Sequence, residues 1–238
     1  MSKVAIVTGG TRGIGYSVAK QLLDLDYTVY IFGTIDRTEE ELQSVKYADF
    51  NYMRLNVSDY KFVKESFKCI YEKQGRIDVL VNFAGITRNK KIKFMTEIVW
   101  KDVIKVNLDG TFWTVKQTSK YMMKNKGGGI VNISSVVAHK TVIGQINYSS
   151  SKAGVETLTR SSALELEKYN IRVNSVSLGC IDTDMLSSLG KIDDIIEVMP
   201  LNRLGDVQDV SDFVCFLLSD KAKYITGQNF IIDGGLSL

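Results

Sequence analysis

The 238-residue sequence predicts an α/β fold: a doubly wound, seven-stranded parallel sheet with helices on both faces. Three observations predict it. Short β-branched apolar runs alternate with helix-periodic segments along the whole chain. The early runs are almost continuously apolar, as strands covered on both faces must be. A glycine-rich turn follows the first run and opens a helical segment.

The strands read, in order, as "KVAIVT", "TVYIF", "NYMRLNV", "DVLVN", "GIVNIS", "IRVNSVSL" and "QNFIID". Helical patterns over 14–25, 60–73, 99–124, 148–169 and 207–218 fill the spaces between them. This alternation implies right-handed crossovers and a parallel sheet. No linker, repeat or low-complexity segment interrupts it, and Pro200 is the single proline, so residues 1–238 read as one domain.

Composition narrows the function. Hydrophobic residues make up 45% and charged residues 24%, enough apolar content for a packed core and against disorder. A net charge of +3 does not match a nucleic-acid binder. The one basic cluster, "RNKKIK" at 88–93, reads as a solvated loop. Cys69, Cys180 and Cys215 are far apart and read as free thiols of a reducing compartment. The single histidine, His139, argues against a His-based metal site, and no metal is expected. The N-terminus runs straight into a strand, without a signal peptide, and "FVCFLL" is too short to span a bilayer. The expectation is a soluble cytoplasmic protein, without a membrane or nucleic-acid partner.

The turn "TGGTRGIG" spaces Gly9, Gly13 and Gly15 ahead of a helix. Glycines let the backbone approach a pyrophosphate, and the helix start offers N–H groups and partial positive charge. The second strand ends in Gly33 and Thr34 rather than the acid that binds a ribose 2′-OH. With Arg12 in the turn to pair a 2′-phosphate, NADP(H) is favoured, while Asp36 keeps NAD open. Asn82 and Ser135 close the fourth and fifth strands, at the carboxyl edge where such sheets bind ligands. Asn82 also reads as a structural tie between strands. In "INYSSSKAG", Tyr148 and Lys152 stand one helical turn apart on one face. A cation beside a phenol favours phenolate, so the pair is expected to lower the Tyr148 pKa and make it a proton donor or acceptor. His139 reads as an exposed loop histidine outside this chemistry, and Trp113, Met122 and Met123 as core or interface.

Taken together, "TGGTRGIG", "LNVSD", "NFAGIT", "VNLDGTF", "NISS", "YSSSK", "GCIDTDM" and "IIDGG" resemble the single-domain, Rossmann-type short-chain dehydrogenases/reductases over essentially the whole chain. The resemblance implies that Tyr148 is the general acid, with Lys152 as its tuner and ribose ligand. It implies that Ser135 binds the substrate carbonyl and that Asn107 helps hold a water in a proton relay to Lys152. For the cofactor it implies contacts from Gly9, Thr11, Arg12, Gly13, Ile14, Gly15, Thr34, Asn56, Val57, Asn82, Ala84 and Gly85, and on the nicotinamide side from Ile181 and Thr183. The motifs are most similar to those of beta-ketoacyl-acyl-carrier-protein and acetoacetyl-CoA reductases. This implies NADPH-dependent reduction of a 3-oxoacyl thioester in fatty acid synthesis, on acyl-carrier protein or coenzyme A, by a homotetramer. The same resemblance places Lys124, Lys126, Lys168 and Arg172 near the carrier-docking face. A reductase of a sugar, polyol or polycyclic ketone remains an alternative, with the segment 185–203 covering the substrate. A non-catalytic nucleotide-binding regulator is the alternative of another class. Two departures from the family pattern, Phe83 for a second Asn and Leu178 for a Pro, bear on cofactor affinity. Leu178 is expected to loosen the loop over the nicotinamide.

Overall fold

The computed structural model describes residues 2–35, 49–183 and 192–238. Seven strands form one parallel sheet: β1 (Val4–Thr8), β2 (Thr28–Gly33), β3 (Asn51–Arg54), β4 (Val79–Asn82), β5 (Gly128–Ser135), β6 (Ile171–Leu178) and β7 (Asn229–Ile232). Their order is β3-β2-β1-β4-β5-β6-β7. The chain winds outward in one direction from β1 to β3 and in the other from β4 to β7. A crevice therefore opens between the carboxyl ends of β1 and β4, the ligand position of such sheets.

Strand periodicity sorts the core into two layers. Val4, Ile6, Tyr30, Phe32, Leu80 and Ile130 face one side of the sheet. There they meet α2 (Tyr60–Gln74) through Val63 and Phe67, α4 (Gly110–Asn125) through Val115 and Met122, and α5 (Ile146–Leu166) through Ala163. Ala5, Val7, Val29, Ile31, Val81 and Val131 face the other side. They pack on α1 (Gly13–Asp24) through Val18 and Leu22, and on α7 (Val207–Leu218) through Val210 and Val214. Helix ends follow local chemistry. Asp59 caps α2 by accepting from Phe62 N at 3.1 Å, and Gly75 closes it with φ +73°. A reciprocal Asp206–Asp209 capping box starts α7.

Two elements differ from the sequence expectation. The segment read as one helix over 99–124 is α3 (Glu97–Ile104), a π-helical turn (Lys105–Asp109) and α4. The wider turn is a tertiary accommodation that 3.6-residue periodicity does not register. A short helix α6 (Ile192–Glu197) also forms, with no buried residue to betray it as an amphipathic pattern. The "RNKKIK" segment is exposed, as expected. Met122 is fully buried, with Trp113 and Met123 packed at the core's margin.

Candidate active site

The glycine turn between β1 and α1 is shaped by close approaches. A Cβ on Gly9, at φ +67°, would lie 2.9 Å from the main chain of Phe83 and Ala84 at the end of β4. A Cβ on Gly15 would lie 2.4 Å from Gly9 O. Only glycine permits this packing. Arg12 is the N-cap of α1, makes no side-chain cap bond, and the first turn holds no acid. The helix start is therefore suited to an anion. Thr183 lies across the turn, its Cγ2 3.5 Å from where a Gly13 Cβ would stand. Thr11 packs against Gly33, and Thr34 is exposed beyond the end of β2. Asn56 and Val57 follow β3; Asn56 Oδ1 accepts from Ser58, and Val57 is buried against Gly110. The glycine turn and the ends of β2 and β3 stand at the carboxyl edge of the sheet, where glycines and an uncapped helix start suit a pyrophosphate. Asp36, read as a competing ribose ligand, lies outside the described residues.

At the end of β4, the Asn82 side chain is spent inside the sheet. Its Nδ2 donates to Asn132 Oδ1 at 2.9 Å, and its Oδ1 accepts from Thr114 Oγ1 at 2.9 Å. Asn132 Nδ2 donates onward to Thr159 Oγ1 at 3.0 Å. The structural tie read for Asn82 is thus present, and what the end of β4 offers beyond it is the main chain that follows. Ala84 and Gly85 carry that main chain. A Cβ on Gly85 would lie 3.4 Å from Asn107 Oδ1 and 3.7 Å from Lys152 Nζ, so both side chains converge beside Gly85.

Asn107 sits in the π turn, fully buried. Its Oδ1 accepts from Ile86 N at 2.8 Å, and its Nδ2 donates to Ile86 O and Ser151 Oγ at 3.0 Å each. Its own carbonyl accepts from Thr111 Oγ1 at 2.7 Å. The side chain thereby locks the loop after β4 onto α5.

Ser135 ends β5, and its hydroxyl meets the Tyr148 phenol and lies 3.3 Å from Leu178 O. Tyr148 and Lys152 share one face of α5, as the spacing predicted, with Lys152 Nζ 5.6 Å from the ring centroid. The expected electrostatics do not hold. Burial raises the Tyr148 pKa, and only the Ser135 hydrogen bond opposes it. Lys152 is no counterweight because it is itself buried, its pKa pulled down to about 8, and its ammonium donates to Ile133 O at 2.8 Å. It lies over the ring face.

Three further expectations are corrected or sharpened. Leu178 is the last residue of β6, in register with Ser135 on one side and Ile232 on the other. Sheet pairing holds the backbone that a proline ring would otherwise fix. Ile181 is buried and bridges to Gly205, which anchors the segment leading to Thr183. Arg172 is not a docking cation: its guanidinium donates to Leu217 O at 2.7 Å, Ser219 O at 3.1 Å and Ile225 O at 3.4 Å. It caps the C-terminus of α7 instead. Lys124 stacks over Tyr71 and Tyr121, while Lys126 is an exposed left-handed C-cap. Sequence reasoning missed the Asn82–Asn132–Thr159 chain. Its signal was an asparagine inside each apolar strand, since a buried amide must find a partner.

Comparisons with known proteins identify the family. A family model described as Enoyl-(Acyl carrier protein) reductase matches residues 9–237. This chain belongs to the short-chain dehydrogenase/reductase family. Its relatives include the 3-oxoacyl-[acyl-carrier-protein] reductases of Staphylococcus epidermidis, 40% identical over 99% of each chain, and of Aquifex aeolicus, 40% identical over 98% of this chain and 97% of that one. Among solved structures, ligand-free aldohexose dehydrogenase of Thermoplasma acidophilum superposes with a TM-score of 0.89 at 33% identity, covering 99% of this chain and 94% of that one. Family members of this kind are oxidoreductases, and the site residues of this chain lie where the parallel sheet opens.

Proposed function

We propose that this chain reduces a 3-oxoacyl thioester to the 3-hydroxyacyl thioester with NADPH, in fatty acid synthesis. The observation that carries the proposal is the meeting of Ser135, Tyr148, Lys152 and Asn107 beside an uncapped glycine turn. Full-length relatives about 40% identical and named for this reaction supply the substrate class. Residues 1–238 act as one dinucleotide-binding and catalytic unit.

Gly9, Thr11, Arg12, Gly13, Ile14 and Gly15 hold the pyrophosphate, with Arg12 and Thr34 toward a 2′-phosphate. Asn56 and Val57 flank the adenine. Ala84, Gly85, Ile181 and Thr183 line the nicotinamide side, and Asn82 holds the end of β4 in place. When bound, the dihydronicotinamide supplies the hydride. Ser135 donates a hydrogen bond to the substrate carbonyl as negative charge grows on its oxygen. Tyr148 gives that oxygen its proton. Burial keeps the phenol protonated at neutral pH, which suits a general acid. Lys152, with a pKa of about 8, exchanges protons near neutral pH and restores the Tyr148 proton through a path that Asn107 shapes.

The subunits assemble as a homotetramer, for which Phe112 on α4 and Leu164 on α5, both solvent-exposed in one chain, supply apolar surface. Among the described residues, no helix is long and apolar enough to cross a membrane, and the enzyme works in the cytoplasm. Its acyl group rides on acyl-carrier protein or coenzyme A.

The test follows NADPH absorbance with acetoacetyl-CoA and then with an acetoacetyl-carrier protein. Saturable oxidation with either supports the reading. No turnover of either thioester, together with oxidation of an aldohexose by NADP⁺, replaces it with a sugar dehydrogenase, the activity named for the Thermoplasma relative.

A further inference from the structure

Glu156 is a carboxylate buried among polar side chains. It lies on α5 one turn beyond Lys152, its side chain only 5% exposed. Burying a charge is expensive unless partners surround it. The partners are all present. Glu156 Oε1 accepts from Ser134 Oγ at 2.8 Å and from Ser177 Oγ at 2.8 Å. It also faces His139 Nε2 at 3.0 Å. The Ser134 hydroxyl lies 3.1 Å from the main-chain carbonyl of Lys152. Asn229 of β7 extends the network, its Oδ1 accepting from Ser175 Oγ at 2.9 Å and lying 3.1 Å from Ser177 Oγ.

Each partner is adjacent to a group of the active site. Ser134 precedes Ser135, and Ile133, just before it, accepts the Lys152 ammonium. His139 closes the 3₁₀ turn Val136–Ala138 that leaves Ser135. One carboxylate oxygen thus joins the end of β5, the end of β6, the turn after Ser135 and the helix that carries Tyr148 and Lys152. We infer that Glu156 and His139 are positioning residues: a clamp between a buried carboxylate and an exposed imidazole that holds Ser135 in register with Tyr148 and Lys152. The inference rests on the carbonyl-reductase reading above. The titratable group that meets Glu156 is His139, from the turn after β5; Lys152, one helical turn back, turns its ammonium to Ile133 O. β6 and β7 contribute the neutral Ser177, Ser175 and Asn229.

Without the clamp, the turn after Ser135 is free to shift, and a displacement of about 1 Å in a reacting group costs about a hundredfold in rate. The Ser135 hydrogen bond is also what opposes the burial that raises the Tyr148 pKa. Loosening it moves the pH limb that reports Tyr148 to higher pH, which a purely structural defect does not do.

The test compares wild type, Glu156→Leu, Glu156→Gln and His139→Ala on acetoacetyl-CoA, with kcat, NADPH Kd and melting temperature measured for each. Glu156→Leu is expected to lose about a hundredfold in kcat, with NADPH Kd within about twofold and an alkaline shift of the pH limb. Glu156→Gln keeps an acceptor for both serines and is expected to recover about tenfold of that loss. His139→Ala, a change at the surface, is expected to lose about fivefold in kcat at unchanged KM. It carries the test if Glu156→Leu does not fold. Wild-type kcat in folded Glu156→Leu or in His139→Ala overturns the inference, as does a fall in kcat that only tracks weaker cofactor binding. A wild type inert toward acetoacetyl-CoA overturns the parent reading instead.

Discussion

Lys152→Met should make the protein more stable while it stops the reaction. The Lys152 ammonium is buried, 5% exposed, and burial pulls its pKa from 10.5 to about 8. At 1.36 kcal/mol per pKa unit, holding this charge inside the fold costs about 3 kcal/mol at neutral pH. Methionine fills similar volume without charge and gives up the bond to Ile133 O, worth about 1 kcal/mol. The net gain is about 2 kcal/mol, or about 4–8 °C in melting temperature for a chain of this size. The sign of the pH dependence is set by which state holds the proton. The unfolded lysine stays protonated up to its ordinary 10.5, and the folded one loses its proton near 8. The wild-type penalty is therefore complete below about pH 8, shrinks between 8 and 10.5, and vanishes above. Thermal melts of both proteins without cofactor, run across this range, check it; cofactor is left out because it stabilises whichever protein binds it better. A variant that melts at or below wild type at neutral pH refutes the reasoning. So does a gap that stays constant as pH rises, because burial of charge would then not be its source.

Other outcomes follow from the same geometry. Tyr148→Phe removes a proton and little volume, so kcat for thioester reduction should fall about a thousandfold with NADPH affinity retained, as titration of cofactor fluorescence will show. Arg12→Ala should weaken NADPH more than NADH in parallel titrations, since only the former carries a 2′-phosphate. Arg172→Ala should destabilise the protein by about 2 kcal/mol in urea melts, because the Leu217, Ser219 and Ile225 carbonyls lose a charged donor, and should leave KM for a carrier-bound substrate unchanged. Lys126→Glu, at an exposed position, should raise that KM at low salt by an amount that fades within the screening length of about 8–10 Å at ordinary ionic strength. Salt titration of both variants on a carrier-protein thioester separates the two cases.

The sequence by itself determined the sheet, its parallel winding and the place of the site. Apolar runs of strand length, separated by helical periods, leave few other ways to bury their surface, and the crossovers then put Gly9, Asn82, Ser135 and Leu178 on one edge. The spacing of Tyr148 and Lys152 is local, so a helix alone places them on one face. What a neighbouring group does to a charge is not local. Whether Lys152 reaches the phenol oxygen or Ile133 O, and whether burial outweighs attraction, depend on β5 lying under α5. The same holds for Arg172, basic in any sequence reading but committed by the fold to the carbonyls that end α7. His139 and Glu156 stand seventeen positions apart and carry no shared motif. Only the docking of the turn after β5 against α5 brings them within 3.0 Å, because desolvation and pairing are properties of three-dimensional neighbours.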